Sequence, residues 1–151
     1  MLADFQQALA DLTASPDLCQ AVRDDERALR GYDLGERERQ RLLGIARHPG
    51  MTAACTVYRM NRLAPLAMNL RTTLRALGDA LRPQVHAYWR AHPRGHAHFF
   101  IEADRFCRWL QERVEAGDGV PSEARQALAH EHAAVQAALA ASITQGAAIP
   151  A

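Results

Sequence analysis

Residues 70–88, LRTTLRALGDALRPQVHAY, and residues 99–114, FFIEADRFCRWLQERV, decide the fold. In the first, apolar side chains recur at Leu70, Leu74, Leu77, Leu81, Val85 and Tyr88. In the second they recur at Phe99, Ala103, Phe106, Leu110 and Val114. Steps of three and four residues place each set along one side of an α-helix. Such a stripe leaves water only by packing on another, so the pattern predicts helices packed against helices. Gly78-Asp79 and Pro83 interrupt the first stripe, which predicts a helix–turn–helix pair instead of one straight rod.

Working outward toward the N-terminus, Leu2, Phe5, Leu9 and Leu12 form a further stripe, ended by Ser15-Pro16-Asp17, which also caps the next helix. That helix offers Leu18, Cys19 and Val22, and Gly31 to Leu34 reads as a turn. The run GERERQRLLGIARH, residues 35–48, places Glu36 and Glu38 at the positive helix end and Arg47 and His48 at the negative one. Pro49-Gly50 stops it. A helix then starts near Met51 or Thr52, and Pro65 predicts a kink or restart. Toward the C-terminus, Gly117-Asp118-Gly119 is a turn. Pro121 starts a last helix carrying Ala124, Leu128, Val135 and Leu139. The expected fold is all-α, a single compact domain of about six to eight short helices over residues 1–145, with a frayed tail at 146–151.

Composition bounds the function. A chain of 151 residues with 48% hydrophobic residues buries roughly 70% of its unfolded surface, enough for a core without metal or disulfides. No apolar run reaches the roughly 20 residues that span a bilayer, so no membrane is expected. Cys19, Cys55 and Cys107 are odd in number and widely spaced, which reads as reduced core thiols in a cytoplasmic protein. All 18 basic residues are arginine, yet the formal net charge is only +1. That charge gives no global attraction to nucleic acid.

Three groups of residues carry candidate chemistry. His86, His92, His96 and His98 gather around the loop HPRGH, but Pro93 and Gly95 break the helical spacing that would align His92 with His96 as metal ligands. They read as solvated loop histidines. His130 and His132, two apart on a helix, face different directions. The pairs Glu102–Arg105, Asp104–Arg108 and Arg108–Glu112 read as a solvated helix face. The third group combines arginine, tyrosine and amides: Tyr58, Arg59, Asn61, Arg62, Asn69, Arg71 and Arg75. Arg105 and Trp109, four apart, are expected to stack on an exposed face. This composition suits surfaces that hold carboxylates or peptide backbone. No catalytic residue, cofactor or metal is expected in this chain.

The runs VYRMN (57–61), LRTTLRALGDAL (70–81), HAYWRAHP (86–93) and FFIEADRFCRWL (99–110) together resemble the N-terminal helical domain of a bacterial accessory-protein family, once labelled DNA-binding. The resemblance covers about residues 55–110. Members accompany multinuclear non-haem iron-dependent oxidases that modify cysteines in ribosomally made peptides. The methanobactin C subunit and the partner subunit of the 3-thiaglutamate pathway are of this kind. The resemblance implies a non-catalytic subunit that binds the oxidase, where the iron resides, and helps capture the precursor-peptide leader. Tyr58, Arg59, Asn61, Arg62, Asn69, Arg71, Arg105 and Trp109, singled out by their composition, are the expected contacts. Residues 5–42 also resemble the small helical subunit of extradiol ring-cleaving dioxygenases. The chain departs from the accessory family after Gly119, where an alanine-rich helix stands in place of a strand-bearing domain. That departure disfavours peptide capture by strand addition. The alternatives are a DNA-binding regulator with arginine-bearing helices and a small metal-binding protein using the histidine loop.

Overall fold

The computed structural model describes residues 2–147, with side chains as far as Thr144. Among the described residues there are eight α-helices and two short 3₁₀ turns, with no strand. The fold is all-α. None of these helices is long and apolar enough to cross a membrane. The chain divides into two compact units, Met1–Asn61 and Arg62–Ala151.

The first unit holds α1 (Leu2–Ala14), α2 (Pro16–Asp24), α3 (Glu36–Arg47) and the beginning of α4 (Gly50–Asn69). Ser15 ends α1 and caps α2, its side chain accepting from the Leu18 N–H at 3.1 Å. At the far side of that corner, Gly35 starts α3 with its N–H donated to the Glu38 carboxylate at 2.9 Å. Leu12, Val22, Leu29 and Leu42 are fully buried at the centre of the unit's core. Leu29 lies in a 3₁₀ turn, Glu26–Leu29, too short to show a periodicity in the sequence. The Arg23 Nε donates to the Ala46 carbonyl at 2.6 Å, satisfying an end group of α3 from α2.

The second unit begins within α4 and continues with α5 (Arg71–Leu77), α6 (Leu81–Ala91), α7 (Phe99–Ala116) and α8 (Ser122–Ala147). Of the kink or restart expected at Pro65, the restart does not occur: the proline lies inside α4. Proline removes one helical hydrogen bond, but here Leu66 and Leu70, both fully buried, hold the following turn in the core. The Asn69 amide turns back to donate to the Pro65 carbonyl at 2.8 Å. The Leu70–Tyr88 stripe breaks at Gly78-Asp79 as expected, but not at Pro83, which lies in the first turn of α6. Gly78 takes φ 51°, a conformation favouring glycine, and a 3₁₀ turn at Gly78–Ala80 leads into α6. Leu70, Leu77, Val85 and Tyr88 are buried together with Phe106, Leu110 and Leu128, while Leu74 and Leu81 pack at the edge.

Two stripe residues depart from expectation, and the first, Leu2 at the start of α1, is 68% exposed. Phe99 is 45% exposed. As the first residue of α7 its side chain tilts toward the helix N-terminus, where no earlier turn exists to cover it. α8 runs to Ala147. Positions 148–151 lie outside the described residues.

α8 also closes the start of α5. The Glu131 carboxylate accepts from the N–H groups of Thr72 and Thr73 at 2.8 and 2.9 Å, and from the Thr73 hydroxyl at 2.7 Å. Burial pushes this carboxyl up, but the bonds from Thr73 and Thr72 outweigh it and hold the group below the ordinary value of 4.5. A depressed folded value means the bonds stabilise the fold above the unfolded pKa and are lost as pH falls through the folded one. Glu131→Ala is therefore expected to cost about 1–2 kcal/mol at neutral pH. The difference from wild type should shrink in urea titrations as pH falls below 4.5. A difference independent of pH would show that the charge does not act this way.

Candidate functional site

The second unit contains a buried ionic clamp that sequence reading placed on the surface. Arg62 follows the register of Leu66 and Leu70 along α4 and is 5% exposed; Glu102 on α7 is 0% exposed. The Arg62 Nε donates to Glu102 Oε1 at 2.8 Å. Nη2 lies 2.7 Å from the same oxygen, held by charge attraction without an aligned hydrogen bond. Nη1 donates to the carbonyls of His92 and Pro93, at 2.7 and 3.0 Å. Glu102 completes its pairing by accepting from the His96 N–H at 2.8 Å and the Tyr88 hydroxyl at 3.2 Å. Burial, then the neighbouring Glu102 charge, push the Tyr88 hydroxyl well above the ordinary tyrosine range, so it stays a neutral donor.

These bonds fix the loop between α6 and α7. Residues 92–98 have no regular structure of their own, yet Arg62 and Glu102 grip His92, Pro93 and His96 by their backbones. Gly95 lies so close that a Cβ there would come within 2.8 Å of the Arg62 side chain, which leaves room only for glycine. On the outer side the Arg105 guanidinium donates to the Arg94 carbonyl at 3.1 Å. The loop thus presents Arg94, His96, His98 and Phe99 to solvent on a fixed backbone.

A second buried cluster joins α7 to α8. Asp104, 6% exposed, meets the His132 Nε2 at 2.7 Å, and the other ring nitrogen of His132 meets the Gln111 amide at 3.1 Å. With the Gln111 amide assigned as donor, Nε2 carries the proton and donates to Asp104. Both ring nitrogens are engaged, so the histidine ties α7 to α8. Arg108 reaches the second Asp104 oxygen at 2.7 Å.

Beside this cluster lies a cleft of about 420 Å³ lined by His92, Ile101, Arg105, Arg108, Trp109 and Leu139 among others. Its lining combines aromatic and aliphatic side chains with two guanidinium groups and the carboxylates of Asp104 and Glu112. Burial, then Arg105 and Arg62, lower the His92 pKa, favouring the neutral ring. Among the described residues no three histidine, cysteine, aspartate or glutamate side chains gather to hold a metal ion. The His96 Nδ1 accepts from the His98 N–H at 3.0 Å.

No family model, curated protein or solved structure matches the chain. The site is therefore defined by its own geometry.

Of the residues singled out from sequence, Arg62, Arg105 and Trp109 come together around the clamped loop and its cleft. Arg62 faces inward to Glu102 instead of outward. Trp109, 8% exposed, is not on an open face stacked under Arg105. It packs against Phe106 and Tyr88, with the Arg113 guanidinium 5.4 Å above its ring. Asn69 is turned onto its own helix and Arg71 is exposed at the start of α5. Tyr58 and Arg59 are half-buried and Asn61 exposed on the part of α4 that belongs to the first unit.

Sequence reading missed Glu102, Asp104 and His132 as buried groups. The pairs Glu102–Arg105 and Asp104–Arg108 do not form a solvated face, because the acidic member of each is buried. His132 also had a signal. It lies four residues after Leu128 and three before Val135, inside the apolar stripe of α8. Its spacing of two from His130 carries no sign of that register.

Proposed function

We infer that this chain is a non-catalytic helical accessory subunit: it binds an iron-dependent oxidase and helps that enzyme recognise a ribosomally made precursor peptide. The resemblance of residues 55–110 supplies the identity of the partner. The observation that carries the reading is the clamped α6–α7 loop, whose exposed Arg94, His96, His98 and Phe99 adjoin the cleft rimmed by Arg105 and Arg108. A rigid backbone presenting an aromatic ring and cations suits capture of a peptide or an acidic protein surface, because little ordering entropy is lost on binding. The buried titratable groups nearby are engaged in holding helices and loop, which supports a binding role over a chemical one. The iron, and the oxidation of peptide cysteine, belong to the partner.

The test is co-expression with an iron oxidase and its peptide, followed by size-exclusion chromatography and peptide mass analysis. Phe99→Asp combined with Arg108→Gln removes an exposed ring and an exposed charge. The new acid falls in the first turn of α7, where the helix dipole accepts it. The expected outcome is at least a tenfold loss of complex affinity with an unchanged circular dichroism spectrum. An oxidase that modifies its peptide equally well alone, and never co-elutes with this chain, ends the accessory-subunit reading. Full affinity in the double variant places the contact elsewhere.

A further inference from the structure

The first unit contains a paired thiol site that the proposed function does not use. The helical acceptor scheme would pair the Leu12 carbonyl with the N–H of residue 16, but residue 16 is proline and has none. Two cysteines supply the missing donors. Cys19 on α2 and Cys55 on α4 both donate their S–H to that one oxygen, at 3.0 and 3.4 Å. The two sulfurs are therefore neighbours around a single atom. Each residue is 3% exposed, yet a narrow cleft of about 110 Å³ reaches both, lined also by Pro16, Arg23, Thr56 and Arg59. Cys107 is different: it is fully buried in the aromatic core of the second unit.

We propose that Cys19 and Cys55 form a reversible intramolecular disulfide when a small hydroperoxide enters this cleft. One sulfur attacks the peroxide as its thiolate, forming an S–O bond as the O–O bond breaks; the leaving hydroxide takes up a proton as water. The second sulfur then attacks the sulfenic sulfur, forming the S–S bond as S–O breaks, and the departing hydroxide leaves as a second water. Two thiols and one hydrogen peroxide become one disulfide and two waters, the sulfurs losing the two electrons that the peroxide gains. The cleft admits a molecule of that size and excludes a protein thiol. Burial, then the neighbouring Cys55, push the Cys19 thiol up to about 11, while Arg23 pulls it back. The thiolate is scarce at neutral pH, so the reaction is slow there and quickens as pH rises.

Oxidation has a structural consequence. A disulfide has no S–H, so the buried Leu12 carbonyl loses both donors at once and the α1–α2 corner loosens.

The test uses the full reduced chain and hydrogen peroxide. Expected are a product lighter by two hydrogens, a linked Cys19–Cys55 peptide on mapping, a Cys107 that still alkylates after denaturation, and reversal by dithiothreitol. Amide exchange at Ser15, whose N–H bonds the Asp11 carbonyl, should quicken in the oxidised form. Cys19→Ser keeps a donor for Leu12 and should gain oxygen at Cys55 without losing two hydrogens. A wild-type product that only gains oxygen, a link through Cys107, or no mass change overturns the proposal. Loss of two hydrogens in Cys19→Ser overturns it too.

Discussion

Arg62→Ala is expected to lower the free energy of unfolding by about 3–5 kcal/mol, the usual result of removing one partner from a buried ion pair. The cause is less the lost attraction than what remains. Glu102, 0% exposed, would keep its charge with the His96 N–H, the Tyr88 hydroxyl and the more distant Arg105 guanidinium, 4.0 Å away and partly in solvent, to compensate it. The His92 and Pro93 carbonyls would lose their donor as well. Urea unfolding monitored by tryptophan fluorescence measures the loss, since Trp89 and Trp109 are both in the core of this unit. The loop gives a second measure: amide exchange at His96 should accelerate beyond what global destabilisation explains. The double replacement Arg62→Met with Glu102→Gln should cost clearly less than the sum of the two single changes, because no unpaired charge stays buried. Additive losses, or an Arg62→Ala cost under about 1 kcal/mol, would mean water reaches Glu102 and screens it as at a surface.

This expectation also corrects the way the arginine cluster first reads. Arg59 and Arg62 look equivalent in the run VYRMNR, residues 57–62, yet Arg62 lies in register with Leu66 and Leu70 and faces the core. Reversing the charge at position 62 would unfold the clamp before it reported on any partner. The helices themselves were readable because apolar repeats act over ten or more residues, and many small burial terms agree on one phase. At Pro65 a kink or a restart was open from sequence, and the helix continues because the burial of Leu66 and Leu70 outweighs one missing hydrogen bond. The candidate site was harder for a physical reason. Glu102 and Asp104 are buried only because Arg62 lies 40 residues away and His132 lies 28 away along the chain. A charged residue in a stripe carries no sign of whether its partner exists. The Leu12–Pro16 relation, by contrast, is local: any proline four residues after a helical carbonyl leaves that oxygen in need of a donor.

The second large effect is expected at Phe106. Phe106→Ala should cost about 3–5 kcal/mol, the range for removing a fully buried ring whose site cannot collapse. Phe106 is 0% exposed. Its ring meets Tyr88 edge-on, with centroids 5.1 Å apart at 86°, and lies 6.0 Å from the Trp109 ring. Three helical turns of apolar residues on α7 and the facing residues of α6 and α8 keep the backbones apart, so the space left by the ring stays largely open. Tyr88 gives the change a chemical reach. Its hydroxyl donates to Glu102, and its ring lies 5.2 Å beneath the Arg62 guanidinium. A ring free to tilt into the vacated space would draw that hydroxyl from Glu102 and weaken the clamp. The cavity and the clamp should therefore couple: the Phe106→Ala and Arg62→Ala losses should sum to more than the double variant shows, by at least about 0.5 kcal/mol. Strict additivity would show that Tyr88 keeps its place without Phe106, and that the ionic clamp rests on α4 and α7 alone.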